Sequence, residues 1–506
     1  MSDASVHTAL RSDTPLVVVE APAGCGKTTS GANYAREAAL TGIGSRLLIL
    51  THTHAACSVF AERTRGVGSG VEIRTIDSII AHIASAYHIG LGLPADVSSW
   101  VRQRQDGYGE LALIVSALIR RHPMIVASLA QRHRIVICDE HQDSSSDQHA
   151  IIMALHQQGA RLRIFGDPMQ KIFRERAHLS TSIPCDWDAL AHQAQAYEKL
   201  DHPHRWTSGC QELGQWTLAV RTVLKSGAAI DLRGELPHCV TVVFAENQSQ
   251  RNLDYQLSSQ DRQQIDRFER SHPSLLILTR FNDTARSLRG FFNRRVLLWE
   301  GHTRTGLEKL VDSLSSGHGN PAALAAATVA FMGEIGKGFS PSTFGNRFEQ
   351  EARDGCSRPC RGKPAEIQAL ARFLVNEPNH IGVAKMLRRL SELLSSNLHF
   401  GDVKIDCHLE FWEAACLGDY DNAEDGFAEI THRRIYSRPK PPEKAISTIH
   451  KAKGLECEST IVMPCDARTF PDKDEARCLL YVALSRAKNH LMLVVSRNNP
   501  SPLLIL

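Results

Sequence analysis

Short apolar runs recur along the first third of the chain, each followed by a polar or glycine-bearing turn and then by a helical stretch. Leu16-Val-Val-Val19 leads into a glycine loop, after which Thr29 to Leu40 reads as an alanine-rich helix. Arg46-Leu-Leu-Ile-Leu50 predicts a second strand, with a helix from Ala55 to Thr64 behind it. Val71-Glu-Ile-Arg74, Ile135-Val-Ile-Cys138 and Arg161-Leu-Arg-Ile-Phe165 continue the series. Runs that are apolar at every position suit strands buried on both faces. Their alternation with helices predicts an α/β fold built on a parallel sheet. Ser98 to Gln131 reads as a mainly helical insertion, and a change of unit falls around Cys185 to Asp201. Beyond it, Val240-Thr-Val-Val-Phe244 and Leu275-Leu-Ile-Leu278 are strand-like. Gly301 to Ser437 turns helical and irregular, and ends at the proline-rich linker Arg438-Pro-Lys-Pro-Pro442. Strands return at Ala445-Ile-Ser-Thr448, Ser459-Thr-Ile-Val-Met463 and Leu491-Met-Leu-Val-Val495.

The chemistry concentrates where these strands end. Ala21-Pro-Ala-Gly-Cys-Gly-Lys27-Thr28 sits between a strand and a helix, the context of a phosphate-binding loop, although the general pattern has Gly where Ala21 stands. Gly24 and Gly26 permit a tight turn, so that the amides around Cys25 can face one anion at the positive end of a helix dipole. Lys27 supplies a mobile cation for phosphate oxygens, and Thr28 a hydroxyl for Mg²⁺. Asp139-Glu140-His-Gln142-Asp143 follows the Ile135–Cys138 strand, and ligands of open α/β sheets lie beyond the C-terminal ends of strands. There Asp139 is placed to hold Mg²⁺ and Glu140 to polarise a water attacking the γ-phosphate. Gly166-Asp167-Pro-Met-Gln170 ends the next strand in the same way, with Gln170 in reach of the same phosphate.

Composition changes this picture little. Apolar residues make up 42% of the chain and charged residues 22%, ordinary proportions for a globular protein. A net charge of +3 neither requires nor excludes nucleic acid, since a groove can be basic while the total is not. The polar start of the chain lacks the apolar core of a signal peptide. No apolar run reaches the about 18 residues of a membrane span. The 13 cysteines are dispersed, which fits reduced thiols in a cytoplasmic protein. Cys356-Ser-Arg-Pro-Cys360 lies in a basic loop, and with Cys407 and His408 it could complete a metal site, although a basic surface loop is the simpler reading.

The order of these motifs resembles the superfamily 1 DNA helicases of the UvrD/Rep type. Two further stretches carry the resemblance most specifically: Thr448-Ile-His450-Lys-Ala-Lys453-Gly454-Leu-Glu456 and Tyr481-Val-Ala-Leu-Ser485-Arg486-Ala-Lys488. The resemblance implies two RecA-like motor domains, 1A (residues 1–85 and 131–197) and 2A (198–300 and 441–506), with helical insertions 1B (86–130) and 2B (301–440). It implies ATP and Mg²⁺ as cofactors and single-stranded or partly duplex DNA as partner. Gly24, Cys25, Gly26, Lys27, Thr28, Thr29, His204 and Glu456 would bind the nucleotide, with Thr28 and Asp139 on Mg²⁺. Glu140, Gln170, Arg205 and Arg486 would be catalytic, Arg486 as an arginine finger in cis. DNA would be met by Thr51, His52, Thr75, Phe173, Arg280, Thr448 and His450.

The chain departs from the family pattern in four places. No Gln precedes the phosphate loop, and His204 stands where relatives often carry a Tyr that stacks on adenine. Glu175 replaces a base-stacking Trp, and both insertions look short or divergent. The trimming resembles the GajB-type helicase subunits of bacterial Gabija antiphage systems, which work with an OLD-family nuclease. Two functions therefore stand side by side: an ATP-driven translocase or helicase moving 3′ to 5′ on single strands, and a nucleotide-switched subunit that controls a partner nuclease.

Overall fold

The computed structural model describes residues 2–40, 46–67, 70–102, 104, 106–173, 182–246, 255, 257–300, 304–396, 398–436 and 441–506. Glu175, Gly301 and the linker residues 438–440 lie outside the described residues. The chain divides into two compact units, Met1–Phe292 with Glu443–Leu506, and Asn293–Pro442.

The first unit holds two large parallel sheets, the arrangement of two RecA-like domains. In one sheet the strands are β1 (Leu16–Glu20), β2 (Leu47–Thr51), β3 (Val71–Thr75), β4 (Ile135–Cys138), β5 (Arg161–Gly166) and β6 (Ala196–Lys199), ordered β3-β2-β4-β5-β1-β6. Every adjacent pair given by register is parallel, so Glu20, Thr51, Thr75, Cys138 and Gly166 end at one edge. The apolarity of β1, β2 and β4 has a direct cause, because both faces are covered. Val17, Val19, Ile49, Ile137 and Phe165 pack with Val6 and Leu10 of helix Ser2–Arg11 and Ala32 and Ala35 of helix Lys27–Leu40. Their neighbours Leu16, Val18, Leu48, Val136 and Ile164 face Ile79, Ile83, Leu111 and Ile151 on the other side. The alternation is the two-residue period of a strand. The edge strand β6 was hidden in sequence because it is polar and half-buried, and it falls inside the stretch taken for a change of unit. The N-terminal helix was likewise hidden, since only Val6 and Leu10 mark its inward face.

In the second sheet Lys444–Thr448, Leu275–Thr279, Cys457–Cys465, Ala487–Ser496 and Val240–Ala245 lie side by side in that order, all parallel. Strands from before and after the Asn293–Pro442 unit thus share one sheet. The strands run longer than the apolar runs predicted, because ladder pairing carries on into flanking positions such as Cys457, Ala487 and His490.

The second unit is helical, with Thr305–Ser316, Pro321–Ile335, Lys363–Asn376 and His380–Ser396 among its longer helices. Leu310, Phe331, Phe348, Leu370, Leu387 and Phe411 form its core. Cys356 is buried there, its Sγ donating to the carbonyls of Glu351 and Gln368 at 3.6 and 3.5 Å. None of the 13 cysteines is in a disulfide. Among the described residues, no single helix is long and apolar enough to cross a membrane.

Candidate nucleotide site and nucleic-acid interface

The glycine loop leaves β1 and is bound at once to its neighbour, the amide of Ala21 donating to Gly166 O at 2.8 Å. Gly24 and Gly26 have φ of 75° and 81°, the left-handed region where a β-carbon is disfavoured. Space excludes a side chain too: a β-carbon on Gly24 would come within 2.7 Å of both Arg205 Cβ and the Trp206 ring. One on Gly26 would sit 3.1 Å from the His204 ring. Lys27 opens the following helix and is buried.

Four of the residues singled out in sequence meet directly. Lys27 Nζ lies 2.6 Å from Glu140 Oε1, and Thr28 donates its hydroxyl to Asp139 Oδ2 at 3.2 Å. Glu140 holds the left-handed φ of 55°, uncommon for a residue with a side chain, and its amide is met by Asp139 Oδ1 at 3.1 Å. Burial pushes the Asp139 carboxyl up to about 6 against the pull of Lys27. Burial acts the same way on Glu140, but Lys27, Lys453 and the hydrogen bonds from Lys27 and Gln142 together hold the carboxyl down to about 2. Thr28 and Asp139 offer hard oxygen donors side by side, and a buried carboxylate with a raised pKa is relieved by a divalent cation, so the pair fits Mg²⁺.

The second sheet contributes the opposite wall. The Arg205 amide donates to Gly24 O at 3.0 Å, and Trp206 Nε1 to Ala487 O at 2.8 Å. The Tyr481 hydroxyl accepts the Ala23 amide at 2.9 Å. Arg205 forms an ion pair with Glu456 at 2.8 Å and donates to Ser485 O, while its Nε is buried with no partner. Lys488 joins Glu456 at 3.2 Å. Arg486 is buried and donates to Val482 O, Leu455 O and Ser485 Oγ at 2.9, 3.2 and 2.8 Å. Burial, and then Arg205, lowers its pKa to about 10. Gln170 is held by Asp167 Oδ2 at 2.9 Å, and its carbonyl accepts Lys453 Nζ at 2.7 Å.

Other sequence candidates are placed less centrally. His204 bonds Asp3 at 3.0 Å, so the N-terminal helix reaches the rim of the loop. The Thr29 hydroxyl accepts Arg63 at 2.7 Å, and Cys25 is buried, its thiol pushed up to about 12 by burial. Thr75 caps helix Ile76–Ala86, and Thr448 is buried at the end of its strand. Thr51 Oγ1 is buried without a partner. His52 faces Ser144 Oγ at 3.3 Å. Arg280 donates to Thr469 O at 3.0 Å and lies 3.4 Å from Glu475. Phe173 is 50% exposed, with the His450 ring at 6.1 Å and Lys453 Nζ at 5.1 Å over its face, an open aromatic beside a cation.

Residues 445–494, which hold the Lys453, Glu456, Tyr481 and Arg486 positions of that wall, match the UvrD-like helicase C-terminal domain family. This stretch is UvrD-like. Residues 3–183 match the AAA domain family and carry the glycine loop and the Asp139–Glu140 pair. No curated protein matches the chain.

The site also draws on residues that the motifs did not reveal. Arg221 is buried, lying 2.5 Å from Glu20 Oε1 and 2.6 Å from Asp167 Oδ1, and Lys225 joins Glu20 at 2.8 Å. Glu20 closes β1 and Asp167 follows β5, while Arg221 rides on helix Gln211–Lys225. One signal was available: Arg221 shares an inward face with Leu213, Thr217 and Leu224, where a charge needs a partner.

Proposed function

We propose that this UvrD-like chain hydrolyses ATP between its two parallel sheets and spends the cycle on 3′-to-5′ movement along single-stranded DNA. The observation that carries the reading is the convergence at one place of Lys27, Thr28, Asp139 and Glu140 from one sheet with Arg205, Glu456 and Arg486 from the other, stitched by the Arg205–Gly24 bond. Lys27 is poised to exchange Glu140 for phosphate oxygens. Glu140, freed of that pair, accepts the proton of the water that attacks the γ-phosphorus as the bond to ADP breaks. Mg²⁺, when bound by Thr28 and Asp139, supplies screening of the phosphate charge. Arg205 and Arg486 come from the far wall, so their contact with phosphate favours the closed cleft, and loss of phosphate lets it relax. Phe173, His450, Lys453 and Arg280 support a single-strand path, an aromatic face among basic groups. An antiphage role beside an OLD-family nuclease rests on the resemblance of the trimmed insertions.

ATP turnover by the purified chain, measured with and without single-stranded DNA, tests the proposal. Stimulation by DNA supports a motor. Turnover indifferent to DNA sinks it and favours a nucleotide switch for a partner nuclease.

A further inference from the structure

Beside the catalytic pair, three side chains of different elements turn toward one point. His141 follows Glu140 in the turn after β4, His149 lies on helix Ser146–Gln157, and Cys185 precedes helix Trp187–Gln193. One donor atom from each lies within 4.8 Å of the other two. His141 Nε2 and His149 Nδ1 are 2.9 Å apart. Cys185 Sγ lies 3.8 Å from His141 O. His141 and Cys185 are buried, and His149 is half-buried, which leaves an entry path.

We infer that His141, His149 and Cys185 form a Zn²⁺ site that fastens the catalytic turn to the helix behind it. Two imidazoles and a thiolate are the donors this borderline ion prefers, and three protein ligands with one water complete a tetrahedron. Ideal bonds put the two nitrogens about 3.4 Å apart and each nitrogen about 3.6 Å from sulfur. The histidine pair therefore opens by roughly half an ångström, a change of side-chain torsion alone. Ser144 Oγ sits 3.3 Å from His141 Nδ1, the outer hydrogen bond that turns the opposite nitrogen of a ligating histidine toward its metal. Lys171 donates to Cys185 O at 3.2 Å, a cation that offsets the negative charge carried by the sulfur as a ligand. Binding replaces the His141–His149 hydrogen bond and releases the thiol proton to solvent.

Nothing in this site is needed for phosphate contact, so it can be tested apart from turnover. The full chain, stripped with a chelator, is titrated with Zn²⁺ against a colorimetric competitor, and with Co²⁺ as a spectroscopic stand-in. The expected result is one tightly held Zn²⁺ per chain, a sulfur-to-cobalt charge-transfer band, and a melting temperature raised by a few degrees. Cys185→Ser should abolish the band, and His149→Gln should lower affinity at least tenfold while the melt stays cooperative. Absence of stoichiometric binding overturns the inference, as does binding whose band and affinity survive both substitutions. If Cys185→Ser or His149→Gln fails to fold, the cobalt band of the unsubstituted chain alone decides whether sulfur ligates the metal.

Discussion

In the proposed reaction Glu140 is the general base, and its geometry says what its removal should do. It is held in the left-handed region, bonded to Lys27 on one oxygen and to Gln142 Nε2 at 2.6 Å on the other. Glu140→Gln keeps the size and the amide contacts but cannot take a proton. Turnover should fall about 10²–10⁴-fold with nucleotide affinity retained, which steady-state ATPase assays and equilibrium nucleotide binding together would reveal. Arg486 is a different case, because its guanidinium is spent on backbone oxygens and Ser485. Acting as an arginine finger requires at least one of these bonds to be exchanged for phosphate. Arg486→Ala should then bind ATP yet hydrolyse it about 10³-fold more slowly, and unchanged single-turnover rates would assign it a purely structural role.

At the level of elements, the buried charges between helix Gln211–Lys225 and the ends of β1 and β5 set the strongest expectation. Arg221→Ala leaves Asp167 buried without that cation and Glu20 with Lys225 alone, so unfolding by denaturant should show a loss of about 3–5 kcal/mol. Acid should find the same point. Burial would raise the Glu20 carboxyl, but Arg221, Lys225 and Tyr197 hold it down from 4.5 to about 2. A lowered folded pKa stabilises the fold fully above the unfolded value and loses that contribution as pH falls toward the folded one. Denaturation midpoints should therefore drop between pH 4.5 and 2, and less steeply in Glu20→Gln. These charges also mark the limit of what the sequence discloses. The buried strands were legible because Leu16 to Val19 or Leu275 to Leu278 must be covered on both faces, and the glycine loop because Gly24 and Gly26 need positive φ. The partners of Arg221 were not legible, since they lie 201 and 54 residues away and no local spacing encodes them. The β6 edge escaped for the opposite reason: a strand paired on one side can stay polar.

Across the whole molecule, the Asn293–Pro442 unit closes its own core from Leu307 to Ala423. Expressed alone, residues 293–442 should fold, giving a cooperative thermal transition by circular dichroism; a non-cooperative melt would show that its core depends on the rest of the chain. The first unit has no such independence along the sequence. Its glycine loop receives the Tyr481 hydroxyl across 458 residues and the Arg205 amide from the middle of the chain. During synthesis, then, the loop leaves the ribosome 458 residues ahead of the tyrosine that completes its setting. A chain cut between Glu456 and Tyr481 would carry the glycine loop without the tyrosine hydroxyl that meets it.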